Sequence, residues 1–213
     1  AWDPAWGSER TNELPAHDVY LDEYQIARHT VTVQEYCDVL NWAYWGKESG
    51  NTRLFDNDLD DTPYAGGSLV MAGPLAARYV ILDISTNPLI EFSASGSGGD
   101  TAKVFYPKTR SGYSLAGFPM TYVSWFGAAA YCNWLSRMTI DVDYQGHYYD
   151  MGTMYWPPAA VHDSRAYRLP TEAQWERAAA WESAEGGKHW IYGFTSDIAP
   201  SGSEWVNWQR PDN

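Results

Sequence analysis

Two cysteines, five histidines and one dense aspartate cluster are the side chains of this chain whose types suggest chemistry. A thiolate is both a nucleophile and a soft metal ligand. Cys37 and Cys132, however, each fall on the apolar stripe of a predicted helix. There a thiol serves as a small, inert hydrophobe, or the two form a disulfide if their Cα atoms come within about 7 Å. The run Asp56-Asn57-Asp58-Leu59-Asp60-Asp61 alternates carboxylates as a calcium loop does. Yet Asp61 stands where an EF-hand needs Gly, and Gly67 where it needs Glu, so a solvated acidic loop is expected. His17, His29, His147, His162 and His189 share no spacing that gathers the three or four ligands zinc needs. No G-x-S-x-G elbow supports serine hydrolase chemistry.

The elements that must position these residues announce themselves through their caps. Thr32 and Glu35 form a T-x-x-E box, followed by Tyr36, Cys37, Leu40 and Tyr44 on one helical face. A second helix is predicted from about Ser124 to Arg137, with Trp125, Ala128, Ala129, Cys132 and Leu135 on its stripe. A third begins at Pro170-Thr171, with Thr171 and Gln174 as a T-x-x-Q box and Trp175, Ala178 and Ala179 as its buried face. Val19-Tyr20-Leu21 and Tyr24-Gln25-Ile26 read as short strands, as do Tyr79 to Ile84 and Lys103 to Tyr106. Residues 46–118 carry few helix signals and read as a strand-and-loop insertion, its tip at the Gly/Ser-rich residues 93–99.

Composition narrows the function classes. The 213 residues hold 14 basic and 27 acidic side chains, a net charge of −13 without a Lys/Arg run, so nucleic acid is not an expected partner. No stretch approaches the roughly 18 apolar residues of a membrane span. Hydrophobic residues are 45% and charged ones 19%, which marks a globular chain. Its acidic, Trp-rich, cysteine-poor make-up points to an extracytoplasmic protein: periplasmic, cell-surface or secreted. Twelve Trp and sixteen Tyr fill a loop-rich core or furnish a contact surface for a protein partner; both readings stay open. Nothing in the pattern sets an oligomeric state.

One run is more specific. Arg168-Leu169-Pro170-Thr171-Glu172-Ala173-Gln174-Trp175-Glu176-Arg177-Ala178-Ala179-Ala180 resembles the R-L-P-T-E-A-E-W-E-x-A-A-R signature of the formylglycine-generating-enzyme (sulfatase-modifying factor) family. The segment from Pro119 to Ser136 resembles that family's P-V-x-x-V-S-W-x-x-A-x-A-Y-C-x-W. Pro15-Ala16-His17-Asp18-Val19-Tyr20-Leu21, and the run from Ala27 to Tyr36, are similar to its entry motifs. The four stand in the family's order, over about Trp6 to Gln209 apart from the insertion. The resemblance implies an α+β fold, a C-type-lectin-like variant that is loop-rich with few regular elements. It also implies one domain over 1–213, lacking the family's C-terminal part.

In the family, a cysteine pair binding copper(I) oxidises a sulfatase cysteine to formylglycine, and calcium supports the loops. That pair lies near R-G-G-S-W, after G-N-V-W-E-W, and neither segment occurs here. Cys37 and Cys132 match helix positions of the N-terminal part, so no catalytic residue is assigned. Copper enters only if such a pair lies outside this chain. Asn207-Trp208-Gln209 is similar to the start of a family calcium site, which makes Asn207 and Trp208 a calcium half-site by resemblance. The expectation is a non-catalytic module giving binding or structural support in an exported protein or assembly. The alternatives are the copper-dependent oxidase, with its cysteine pair elsewhere, and a calcium-dependent lectin-like ligand binder.

Overall fold

Helix α1 (Val33–Tyr44) begins where the sequence supplies both halves of a capping box. In the computed structural model, which describes residues 18–44, 68–72, 78–84, 86–92, 105–140, 149, 165–181 and 190, the Thr32 amide donates to Glu35 Oε2 at 2.8 Å. The Glu35 amide donates back to Thr32 Oγ1 at 3.2 Å. The Val33 and Gln34 amides, which have no partner within the helix, donate to the carbonyl oxygens of Phe118 and Ala116 at 2.9 and 3.0 Å. The buried face is wider than its expected stripe: Val33, Tyr36, Cys37, Val39, Leu40 and Ala43 are all buried. The Tyr44 side chain lies outside the described residues.

Two units divide the chain, Arg28–Leu169 and a second made of Ala1–Ala27 with Pro170–Asn213. In the first, six short strands follow α1: β1 (Ser68–Ala72), β2 (Arg78–Asp83), β3 (Ile90–Phe92), β4 (Phe105–Pro107), β5 (Thr109–Arg110) and β6 (Tyr113–Ser114). They pair as three antiparallel two-stranded sheets, β1-β2, β3-β4 and β5-β6. The expected run at Tyr79 to Ile84 is β2, one residue early; that at Lys103 to Tyr106 is β4, later and ended by Pro107, which cannot donate to a ladder. Ile81, Leu82, Ile90 and Phe105 share one core with α1 and with residues 129–134, each worth about 1.5–3 kcal/mol of burial.

Helix α2 (Trp125–Thr139) starts on β2 itself. Ser124 caps it, its Oγ accepting from the Gly127 amide at 3.0 Å and donating to the Val80 carbonyl oxygen. The Ser124 amide donates to Ile81 O at 3.3 Å, and Val123 bridges to Leu82. The helix comes so close that a Cβ at Gly127 would lie 2.3 Å from Ile81 O. Against α1, Tyr36 stacks on Tyr131 with centroids 5.2 Å apart and planes 10° from parallel. The expected stripe is corrected at Trp125, which is 47% exposed. The run from Ala129 to Trp134 is buried all round, because the helix is embedded and not laid on a surface.

Two helix asparagines act as surrogate strand partners. Asn41 Nδ2 donates to Phe105 O at 2.8 Å while its Oδ1 accepts from Phe105 N at 2.8 Å. Asn133 does the same for Tyr149, at 2.7 and 3.0 Å. Each satisfies a buried peptide group that its short or irregular segment leaves over.

In the second unit, α3 (Glu172–Ala180) carries its capping box: Thr171 Oγ1 accepts from Gln174 N at 3.3 Å, and Gln174 Oε1 from Thr171 N at 3.1 Å. Tyr24 donates through its hydroxyl to Gln174 O at 2.8 Å. The expected buried face is corrected: Trp175 is 62% exposed and Ala178 is exposed, while Gln174 and Ala180 are buried. Alanines specify a face weakly, and the cap draws Gln174 inward. Residues 18–27 form no strand, and Val19, Tyr20 and Ile26 are exposed, since alternation without a neighbour to pair with makes no ladder.

Candidate functional site

The β5-β6 hairpin turns on two residues, Ser111 (φ 51°) and Gly112 (φ 82°), the left-handed pair that a type I′ turn requires. Arg110 and Tyr113 face each other across that turn, so their side chains leave the same face of the hairpin. Both line a groove of about 440 Å³, with Pro88 and Leu89 on another side and Leu115, Phe118 and Tyr122 completing it. Leu115 is 5% exposed and forms a floor. Tyr113, Phe118 and Tyr122 are 75%, 53% and 71% exposed, so three rings face solvent in one place. Among the described lining residues Arg110 alone is charged.

The walls are tied down. Asn87 Oδ1 accepts from the Leu89 and Ile90 amides at 2.9 and 3.0 Å, and the Lys108 amide donates to Leu89 O at 2.8 Å. Lys108 Nζ donates to Asn87 O at 2.7 Å. Opposite, Phe118 N donates to Leu115 O at 3.0 Å, while Phe118 O caps α1 as described. Tyr122 holds φ 58°, a conformation that costs a bulky residue on the order of 1–3 kcal/mol. Met120, through its amide to Val31 O at 2.8 Å, and the Val123–Leu82 bridge fix it from both sides.

The thiols lie elsewhere. Cys37 and Cys132 are buried and not disulfide-bonded, so the disulfide alternative is not formed. Burial pushes the Cys132 thiol up to about 12. The Tyr36 hydroxyl is raised above its ordinary value by burial first and then by Tyr131. Tyr131 is raised by burial and then by the Glu35 carboxylate. All three keep their protons near neutral pH, and none is poised as a base or thiolate. Copper(I) wants deprotonated thiolates within reach of a substrate, and these two thiols do not fit it.

Of the other residues singled out in the sequence, His29 is exposed on a bend. The acidic run 56–61, the remaining histidines and the calcium half-site Asn207 and Trp208 lie outside the described residues. Among the described residues no group of three or more His, Cys, Asp or Glu could hold a metal, and no helix is long and apolar enough to cross a membrane. The groove escaped the reading of the sequence. Its available signal was Ser111-Gly112, a turn dipeptide between short β-forming pairs.

Compared with known families, residues 4–212 match the model described as Sulfatase-modifying factor enzyme 1-like domain (FGE-sulfatase). No curated protein and no solved structure matches the chain.

Proposed function

The chain belongs to the sulfatase-modifying factor enzyme 1-like (FGE-sulfatase) family, and from that premise we propose that it is a non-catalytic module of the family, in a C-type-lectin-like arrangement, that works by binding. The observation that carries this reading is the placement of the chain's two cysteines: both are core residues, at 0% and 7% exposure, and cannot present thiolates to a substrate. The groove lined by Pro88, Arg110, Tyr113, Phe118 and Tyr122 offers the complementary feature, exposed aromatic rings on a pre-organised frame, which is what recognition needs.

The setting we propose is an exported protein or assembly with a protein partner, supported by the acidic, Trp-rich composition. The proposal includes a calcium half-site at Asn207 and Trp208, resting on the resemblance of that segment alone. The test of the binding role is oxidation of a sulfatase-derived Cys peptide by this polypeptide with copper(I) and oxygen, the aldehyde product being trapped by a hydrazide probe. No aldehyde above the protein-free control is expected, and aldehyde formed at the rate of a working oxidase would overturn the proposal.

A further inference from the structure

We infer that the groove between Pro88-Leu89 and the Arg110–Tyr122 segment takes an extended, carboxylate-bearing peptide segment of a partner protein, with Arg110 as the residue that selects the carboxylate. This rests on the binding role proposed above and adds the class of ligand.

Charge is the first ground. The chain carries −13 overall, so an acidic ligand is repelled over most of its surface. In the groove the described lining has no carboxylate and one guanidinium. Several other described cations are engaged, though not the exposed Arg28, which lies outside the groove: Lys108 donates to Asn87 O at 2.7 Å, Arg168 to Leu169 O at 3.1 Å, and Arg177 lies 4.6 Å from the Trp181 ring centre. Arg110 has no such partner among the described residues. A guanidinium of this kind offers a planar fork that fits a carboxylate with two parallel hydrogen bonds.

The remaining lining decides between a peptide and a sugar. A sugar's many hydroxyls each need a polar partner, and beside Arg110 the groove supplies only the hydroxyls of Ser111, Tyr113 and Tyr122, with no amide or carboxylate side chain. It supplies aromatic faces and Leu and Pro surface, the material on which extended, proline-containing peptides dock. Tyr, Phe and Arg together, without Lys, Asp or Glu, are also the composition of an interface core. The hydrogen bonds at Asn87, Lys108 and Phe118 hold the walls in advance, so little ordering is left for the ligand to drive.

The experiment uses the full chain against a displayed random dodecapeptide library and, in parallel, an array of neutral and acidic glycans. Recovered peptides are expected to be enriched in Asp or Glu beside Pro or aromatic residues. Their binding should fall about ten- to a hundredfold in Arg110→Glu, as expected for losing a charge-assisted pair. Arg110→Lys, which keeps the charge and loses the fork, should lie between. Arg110 is exposed at a hairpin end, and unchanged circular dichroism and unfolding midpoint of the variants show that the fold is kept. Peptides without acidic bias, or binding indifferent to Arg110→Glu, overturn this inference and leave the binding role standing. Arg110-dependent capture of acidic glycans overturns the peptide assignment. A chain that enriches no peptide and captures no glycan overturns the binding role itself.

Discussion

Adding one methyl group at Gly127 probes how the helices are joined to the strands. A Cβ there would lie 2.3 Å from Ile81 O and 2.9 Å from Val123 Cγ1, so the start of α2 must retreat from β2 by about an ångström to restore ordinary van der Waals contact. That retreat breaks the 3.3 Å bond from Ser124 N to Ile81 O and stretches the 3.4 Å bond from Tyr36 Oη to Gly127 O. Overpacking of this kind costs about 1–3 kcal/mol, and each lost hydrogen bond about 0.5–1.5 kcal/mol. The better helix propensity of Ala returns only about 1 kcal/mol. We therefore expect Gly127→Ala to lose about 2–3 kcal/mol in urea unfolding followed by Trp fluorescence. Gly117→Ala is the control: its Cβ meets nothing within 4 Å, so stability should stay within about 0.5 kcal/mol of the wild type. A Gly127→Ala protein as stable as the Gly117→Ala control would refute the reasoning, because α2 would then not rest on the β2 carbonyl.

Asn41→Ala removes both partners of the buried Phe105 peptide groups. A loss of about 2–4 kcal/mol is expected by the same urea assay, since each orphaned group costs about 1–3 kcal/mol. Ser124→Ala should lose about 1 kcal/mol with the α2 cap, measured by thermal unfolding. Stability should also fall at alkaline pH. The folded Cys132 thiol titrates near 12 against an ordinary 9.0, so the folded state holds the proton more tightly and its contribution is complete below pH 9. That contribution is lost as pH rises from 9.0 towards 12, with a slope of at most about 1.4 kcal/mol per pH unit for this group. Urea midpoints between pH 7 and 11 should show the fall, and Cys132→Ala should make it shallower. Added calcium should raise the thermal midpoint of the wild type and not that of Asn207→Ala.

The helices were legible because their signals are local. Thr32 with Glu35 and Thr171 with Gln174 form the boxes that their spacing implies, and Ser124 caps where the second helix was placed. Which faces are buried was less legible. Trp125 and Trp175 fit the helical period yet face solvent, because burial is set by what packs opposite and not by the residue's own apolarity. The asparagine clamps were invisible for the same reason: Asn41 and Asn133 are read as polar interruptions until Phe105 and Tyr149 come beside them. The groove assembles Pro88, Arg110 and Tyr122 from separate turns, and no linear motif encodes that assembly.

The most direct measurement is alkylation of the folded chain by a small thiol reagent, with and without copper(I), read by intact mass. We predict that Cys37 and Cys132 stay unmodified and take up no copper until the chain is unfolded in urea, when both react. Rapid labelling of both in the folded chain, blocked by one bound copper(I), would contradict the placement of the cysteines as core residues and with it the non-catalytic role.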